Sequence, residues 1–377
     1  FETNEGSLQL SGPLSIGEIS FDARFITGFG AQRAKITPRL EGKFSLSENI
    51  IEDLQLGVSK NWFSGSTLAS VILDFPSDGD ATFRLTSDLK GLEVQIPEVG
   101  LLKNKKASSS FEVTGYISDN IYYDKMFISA EDFELNVSID NNEKYLIERL
   151  FRKDIFDVSG FASKDGLEFT GGKFNLANYL KFTEPKHKSK SVIPVSVNLD
   201  TLNITDSFYI DNFSTRFVSD SINGTFAGLF MGAEPVTGSF GSENGYRFAE
   251  ILSNDAGAFL QAAGLIKRGA EGKLNLRINR NADGIKGRLF TESLKIYDLP
   301  ALAKLLQSLS IIGLLEQMLG QGLFLAESEI NFRLDDKQYI IDRASFFGPS
   351  LGISLDGYLN RKDRLLDFQG VFSPIYA

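Results

Sequence analysis

The sequence predicts a mainly β fold: one long antiparallel sheet with a few short helices towards its C-terminal end. Three observations carry that prediction. Apolar and polar residues alternate with period two along nearly the whole chain of 377 residues, and successive side chains of a strand point to opposite faces. Turn-forming clusters such as Pro76-Ser77-Asp78-Gly79-Asp80 and Asn281-Ala282-Asp283-Gly284 separate the alternating runs at hairpin spacing, so neighbouring strands should run antiparallel. The composition, 32 Phe and 35 Gly against 10 Pro, suits many short strands joined by turns.

In chain order, Leu92, Val94 and Ile96, then Phe111 and Val113, then Phe133, Leu135, Val137 and Ile139 alternate with polar residues. Each run reads as a strand with one apolar and one wet face. The charged stretch Asn142–Arg152 reads as a short helix. A polar segment, 184–191 (EPKHKSKS), is a linker or hairpin tip between an N-terminal β segment, 1–183, and a C-terminal β region, 192–377. Val195, Val197 and Leu199 open the second region. Ser253-Asn254-Asp255 caps a helix expected over about 255–267, with Phe259, Leu260, Ala263 and Ile266 on one face. Leu274, Leu276 and Ile278 return to strand. Leu302, Leu305, Leu309, Ile312, Leu315 and Leu319 then step by three or four residues, which predicts an apolar helix over about 299–321, with Pro300 in its first turn. Ile330 and Phe332, then Ile353 and Leu355, then Leu366 and Phe368 complete the strands.

Composition excludes several functions. With 39 Lys+Arg against 49 Asp+Glu, net charge −10, the chain lacks the basic footprint of a general nucleic-acid binder. Having no Cys, it holds no thiolate metal site, thiol nucleophile or disulfide, and it suits an oxidising compartment. The single His, His187, lies between Lys186 and Lys188 in the polar segment. It reads as an exposed linker residue, since a catalytic base needs an orienting partner and a held geometry. No nucleophile motif, metal-ligand spacing or dinucleotide fingerprint accompanies it. The expectation is therefore a protein that is not an enzyme, with no cofactor and no metal. The apolar run Leu305–Leu315 is too short to span a bilayer, which takes about 20 residues. The chain opens FETNEGSLQLSG without Met, and reads as a processed chain or fragment whose membrane anchor, if it has one, lies outside it. Lys103, Lys105 and Lys106 follow the apolar pair Leu101-Leu102; they read either as a contact for anionic headgroups or as a solvated turn.

The stretch DAGAFLQAAGLIKRGAEGKLNLRI (Asp255–Ile278) resembles the C-terminal regions of the AsmA-like family: a short helix, a glycine, then a strand. The order that follows resembles the same family: a strand, apolar helices, a Gly-rich exit, a strand, the segment DRASFFGPSLG and a closing strand with a Pro. Upstream, LTSDLKGLEVQIPEVGLLKNKKASSSFEVTG (Leu85–Gly115) resembles the larger, YhdP-like and TamB-related members. The resemblance implies an envelope protein of diderm bacteria, held in the periplasm by an inner-membrane anchor, whose strongly curved sheet forms an open hydrophobic groove. It implies phospholipid acyl chains as ligand, passage between the inner and outer membranes as function, and other envelope proteins as further partners. It supplies no catalytic residues.

Two readings follow. In the first, the apolar face lines a lipid-binding groove, with Phe111, Phe133, Leu135, Leu274, Leu276, Ile330, Phe332, Ile353, Leu355 and Phe368 facing inward. Leu302, Leu305, Leu309, Ile312 and Leu315 then stand at the groove end. In the second, the same strands close into a dry sandwich or barrel-like core, and the protein works in envelope structure or assembly. An outer-membrane barrel is disfavoured, because 1 Trp and 11 Tyr do not furnish aromatic girdles.

Overall fold

The computed structural model describes residues 2–374, apart from 5, 17–18, 55–58, 97–100, 140–143, 183–192, 219–220, 244–245, 282–283, 298–321, 335–336, 350, 361 and 363–364. The chain divides into two compact units, Phe1–Lys186 and His187–Ala377. Both are built almost wholly of antiparallel strands, with three short α-helices among the described residues.

The first unit is a meander. Strands β1 (Glu2–Asn4), β2 (Ser7–Ile16), β3 (Ile19–Gly28), β4 (Arg39–Ser47), β5 (Phe63–Asp74) and β6 (Ala81–Ser87) pair in succession. A short hairpin, β7 (Leu92–Ile96) and β8 (Leu101–Lys103), branches from the start of β5. The main sheet resumes with β9 (Ser110–Ile117), which pairs with β6. It continues through β10 (Ile121–Ala130), β11 (Phe133–Ile139), β12 (Tyr145–Arg152), β13 (Phe156–Ser163) and β14 (Gly166–Asn175). Helix α1 (Glu48–Asp53) follows β4, and α2 (Leu176–Phe182) follows β14.

Residues paired across strands share a face, and the register shows one face to be continuously apolar. One row runs Gly12, Ala23, Gly42, Val71, Leu85, Val113, Met126, Val137, Ile147, Gly160 and Phe169. The other face carries the ion pairs Arg24–Glu41, Arg84–Glu112 and Arg149–Asp157. Ile51 of α1 and Leu89, Leu92 and Val94 around β7 lie over one edge of the apolar face and join its core with Phe44, Leu46, Phe111, Val113 and Phe133.

The second unit repeats this plan. Strands β15 (Pro194–Asn203), β16 (Tyr209–Val218), β17 (Ser221–Phe230), β18 (Glu234–Glu243) and β19 (Tyr246–Ser253) pair in order. Next come α3 (Ala256–Ala262) and the short β20 (Arg268–Ala270). β21 (Lys273–Asn281) pairs with β19, and the sheet proceeds through β22 (Gly284–Tyr297), β23 (Leu323–Leu334), β24 (Gln338–Phe347), β25 (Leu351–Asn360) and β26 (Leu366–Pro374). β20 pairs with β22. Among the described residues neither meander closes on itself: β1 pairs with β2 alone and β26 with β25 alone.

Four expectations are corrected or left open. Within the range Asn142–Arg152 expected as a helix, Tyr145–Arg152 form strand β12. A bulge between Ile147 and Leu150 sets those two residues, three apart, on one face, and so mimics helical spacing. The helix expected to 267 ends at Ala262. Gly264 turns left-handed there (φ +69°), and the Leu265 amide donates to the Leu260 carbonyl at 2.9 Å, a glycine-terminated stop. The helices are not confined to the C-terminal end, since α1 and α2 belong to the first unit. The expected helix 299–321, with Leu302, Leu305, Leu309, Ile312 and Leu315, lies outside the described residues, as do the segment 184–191 and His187.

Candidate functional site

The feature that both units share is an extended apolar face. In the second unit the central row runs Val197, Thr215, Phe226, Gly238, Ile251, Leu276, Leu289, Ile330, Ala344, Leu355 and Gly370. One flanking row holds Leu274, Thr291, Ser328, Phe346 and Ile353. The other holds Ile278, Gly287, Phe332, Ile341, Gly357 and Phe368. The register thus brings Leu274, Leu276, Ile330, Phe332, Ile353, Leu355 and Phe368 onto one face. In the first unit Phe111 and Leu135 share a row through Ile128, and Phe133 lies two residues from Leu135 on the same face.

Burial grades across this face. Near α3 it is sealed: Leu274 is 2% exposed and Val236 2%, and Phe259 of α3 stacks on Phe230 with ring centroids 4.2 Å apart. Towards the other side and the last strands, Leu276, Leu289, Ile330, Phe332 and Leu355 are only half-buried, and Phe368 is 44% exposed. The polar groups under α3 are few. Ser253 donates to Glu234 at 2.6 Å. The hydroxyls of Thr291 and Ser328, directly opposite each other, are buried without a hydrogen-bond partner.

Some of the Phe and Gly residues have a shared structural role. Phe226, Phe240, Phe332 and Phe368 each lie opposite a glycine of the next strand: Gly238, Gly224, Gly287 and Gly357. A Cβ on Gly287 would meet the Phe332 ring at 2.1 Å, and one on Gly238 the Phe226 ring at 2.4 Å. Phe83 and Gly115 repeat the pair in the first unit. Each ring lies down over the bare backbone opposite, covering a glycine that would otherwise weaken its strand. At these pairs the ring lies along the sheet and does not stand out from it.

The first unit is more closed. Its apolar edge holds a cavity of about 80 Å³ walled by Leu46, Ile51, Leu92, Val94, Phe111 and Met126. Lys103 was read as part of a basic surface cluster; instead it is buried at 5% exposure. Its ammonium donates to the Leu89 and Leu92 carbonyls at 2.6 and 2.9 Å and to the Asn104 carbonyl at 3.2 Å. Burial pushes its pKa down. It pins the β7–β8 hairpin and is not available to a headgroup. Tyr123, beside Phe83, donates to the Leu54 carbonyl, and burial pushes its phenol up to about 12.

No group of His, Asp and Glu suited to a metal ion occurs among the described residues. None of their helices is long and apolar enough to cross a membrane. In comparisons with family models, curated proteins and solved structures, nothing matches this chain.

Proposed function

We propose that the protein is a non-enzymatic lipid-binding segment of a bacterial envelope protein of AsmA-like type, whose apolar sheet face takes phospholipid acyl chains in passage between the inner and outer membranes. On this reading it stands in the periplasm, attached to the inner membrane by a segment outside this chain. One observation carries the reading: the half-buried apolar rows across β21–β26, smoothed by Phe lying over Gly. A sheet with one apolar face is stable only when that face is covered. Acyl chains serve as cover, each 100 Å² removed from water contributing about 2.5 kcal/mol. Leu, Ile and recumbent Phe hold a chain through apolar area and not through directional bonds, so bound lipid can shift along the face.

A second reading, a dry structural or assembly protein, is favoured by the first unit. Its central row is buried almost throughout, and its cavity of about 80 Å³ is about half the volume that admits benzene. Leu276→Asp separates the two readings. Leu276 is half-buried in the middle of the open rows, so lipid loading should fall severalfold while the circular dichroism spectrum is retained. Undiminished loading of a folded variant would reject the lipid-facing role of this face.

A further inference from the structure

Arg247 and Arg280 are direct cross-strand partners on β19 and β21. Each is two residues from an apolar-face neighbour, Ala249 and Ile278, so both stand on the apolar side of the sheet, at its edge away from α3. Both are exposed. Like charges directly opposite each other are destabilising, and no carboxylate among the described residues pairs with either. Glu243 of β18 is on the other face and bonded to Arg277 at 2.9 Å.

On the lipid-binding reading above, we propose that Arg247 and Arg280 form a site for the phosphate of an anionic phospholipid, whose acyl chains lie along the strands towards α3. Guanidinium groups suit this ligand, because they donate in a fork to phosphate oxygens. The dimensions agree. From Arg247 to Ser253, where α3 begins to seal the face, six residues span about 20 Å. The acyl chains of one leaflet extend about 15 Å, half of a bilayer core. A lipid with its phosphate at the arginine pair therefore lies over Ile278 and Leu276 and ends its tails at the sealed edge, where Leu274 is already buried. The pair sets headgroup preference while the apolar rows set affinity.

The test incubates the full chain with vesicles of equimolar phosphatidylglycerol and phosphatidylethanolamine, reisolates it and measures both lipids by mass spectrometry. Wild type should carry phosphatidylglycerol in excess. Arg247→Gln/Arg280→Gln should lower that excess about fivefold for each arginine lost, the factor expected for one basic side chain near anionic lipid. The double Lys variant should keep most of the preference. Both residues are exposed, so the Gln variant should melt no lower than wild type. Lipid bound without headgroup preference, or with a preference the Gln variant retains, overturns the arginine site and leaves the groove standing. No lipid on wild type overturns the groove and the site together.

Discussion

Gly287→Ala should destabilise the second unit because of one ring. The added Cβ would stand 2.1 Å from the tip of Phe332 and 2.6 Å from the two flanking ring carbons. Ordinary contact begins at 3.4 Å, so the ring must swing by more than 1 Å and leave the backbone it covers. Overpacking of this kind costs about 1–3 kcal/mol. The loss of glycine's unfolded-state freedom returns about 0.4–1 kcal/mol, so the net destabilisation should be about 1–2 kcal/mol. Urea denaturation followed by circular dichroism measures it. In a Phe332→Ala background the same substitution meets no ring and should be neutral or slightly stabilising. The cycle should therefore return a coupling of about 2 kcal/mol. Gly352→Ala is the control, since a Cβ there meets nothing within 4 Å. If Gly287→Ala destabilises equally with and without the Phe332 ring, the account of Phe lying over Gly is wrong.

Lys103→Met keeps the aliphatic stem but removes the three hydrogen bonds that the ammonium donates to backbone carbonyls, and should cost the first unit about 1–3 kcal/mol in chemical denaturation; an unchanged midpoint would mean the β7–β8 hairpin is held by packing alone. The raised pKa of Tyr123 makes stability pH-dependent: the folded state favours the neutral phenol, so its contribution is complete below about pH 10 and is lost as pH rises through about 12. The loss is at most about 3 kcal/mol, and Tyr123→Phe should remove that alkaline component of a stability–pH profile. Asp255 accepts from the Ala258 amide at 2.9 Å at the head of α3; Asp255→Ala should lower stability by about 1 kcal/mol and speed hydrogen exchange at Phe259 and Leu260.

The strands were legible wherever alternation was clean. Leu274, Leu276, Ile330, Phe332, Ile353 and Leu355 read as one face in the sequence and share one face in the register, because the side-chain period of a strand is fixed by backbone geometry. Legibility failed at irregularities. The bulge in β12 put Ile147 and Leu150 at helical spacing. Gly264 stopped α3 early although Ile266 continued its apolar stripe. α1 was missed because six residues carry little periodicity, and Ser47 makes no side-chain cap. α2 carried a readable signal in Asn175, whose side chain accepts from the Asn178 amide at 2.9 Å. The burial of Lys103 was not readable, because its partners are carbonyls brought together by the β7–β8 branch. The pairing of Arg247 with Arg280 needs the register of strands far apart in sequence, and no local pattern encodes it.

On the proposed function, the open rows of the second unit are covered by lipid. The most direct measurement is lipid extraction and mass spectrometry on the full chain purified without detergent. Phospholipid should be recovered at about one or more molecules per chain, and severalfold less from Leu276→Asp. A stable, folded monomer that carries no lipid would contradict the proposed function, and would assign the apolar faces to contacts within protein.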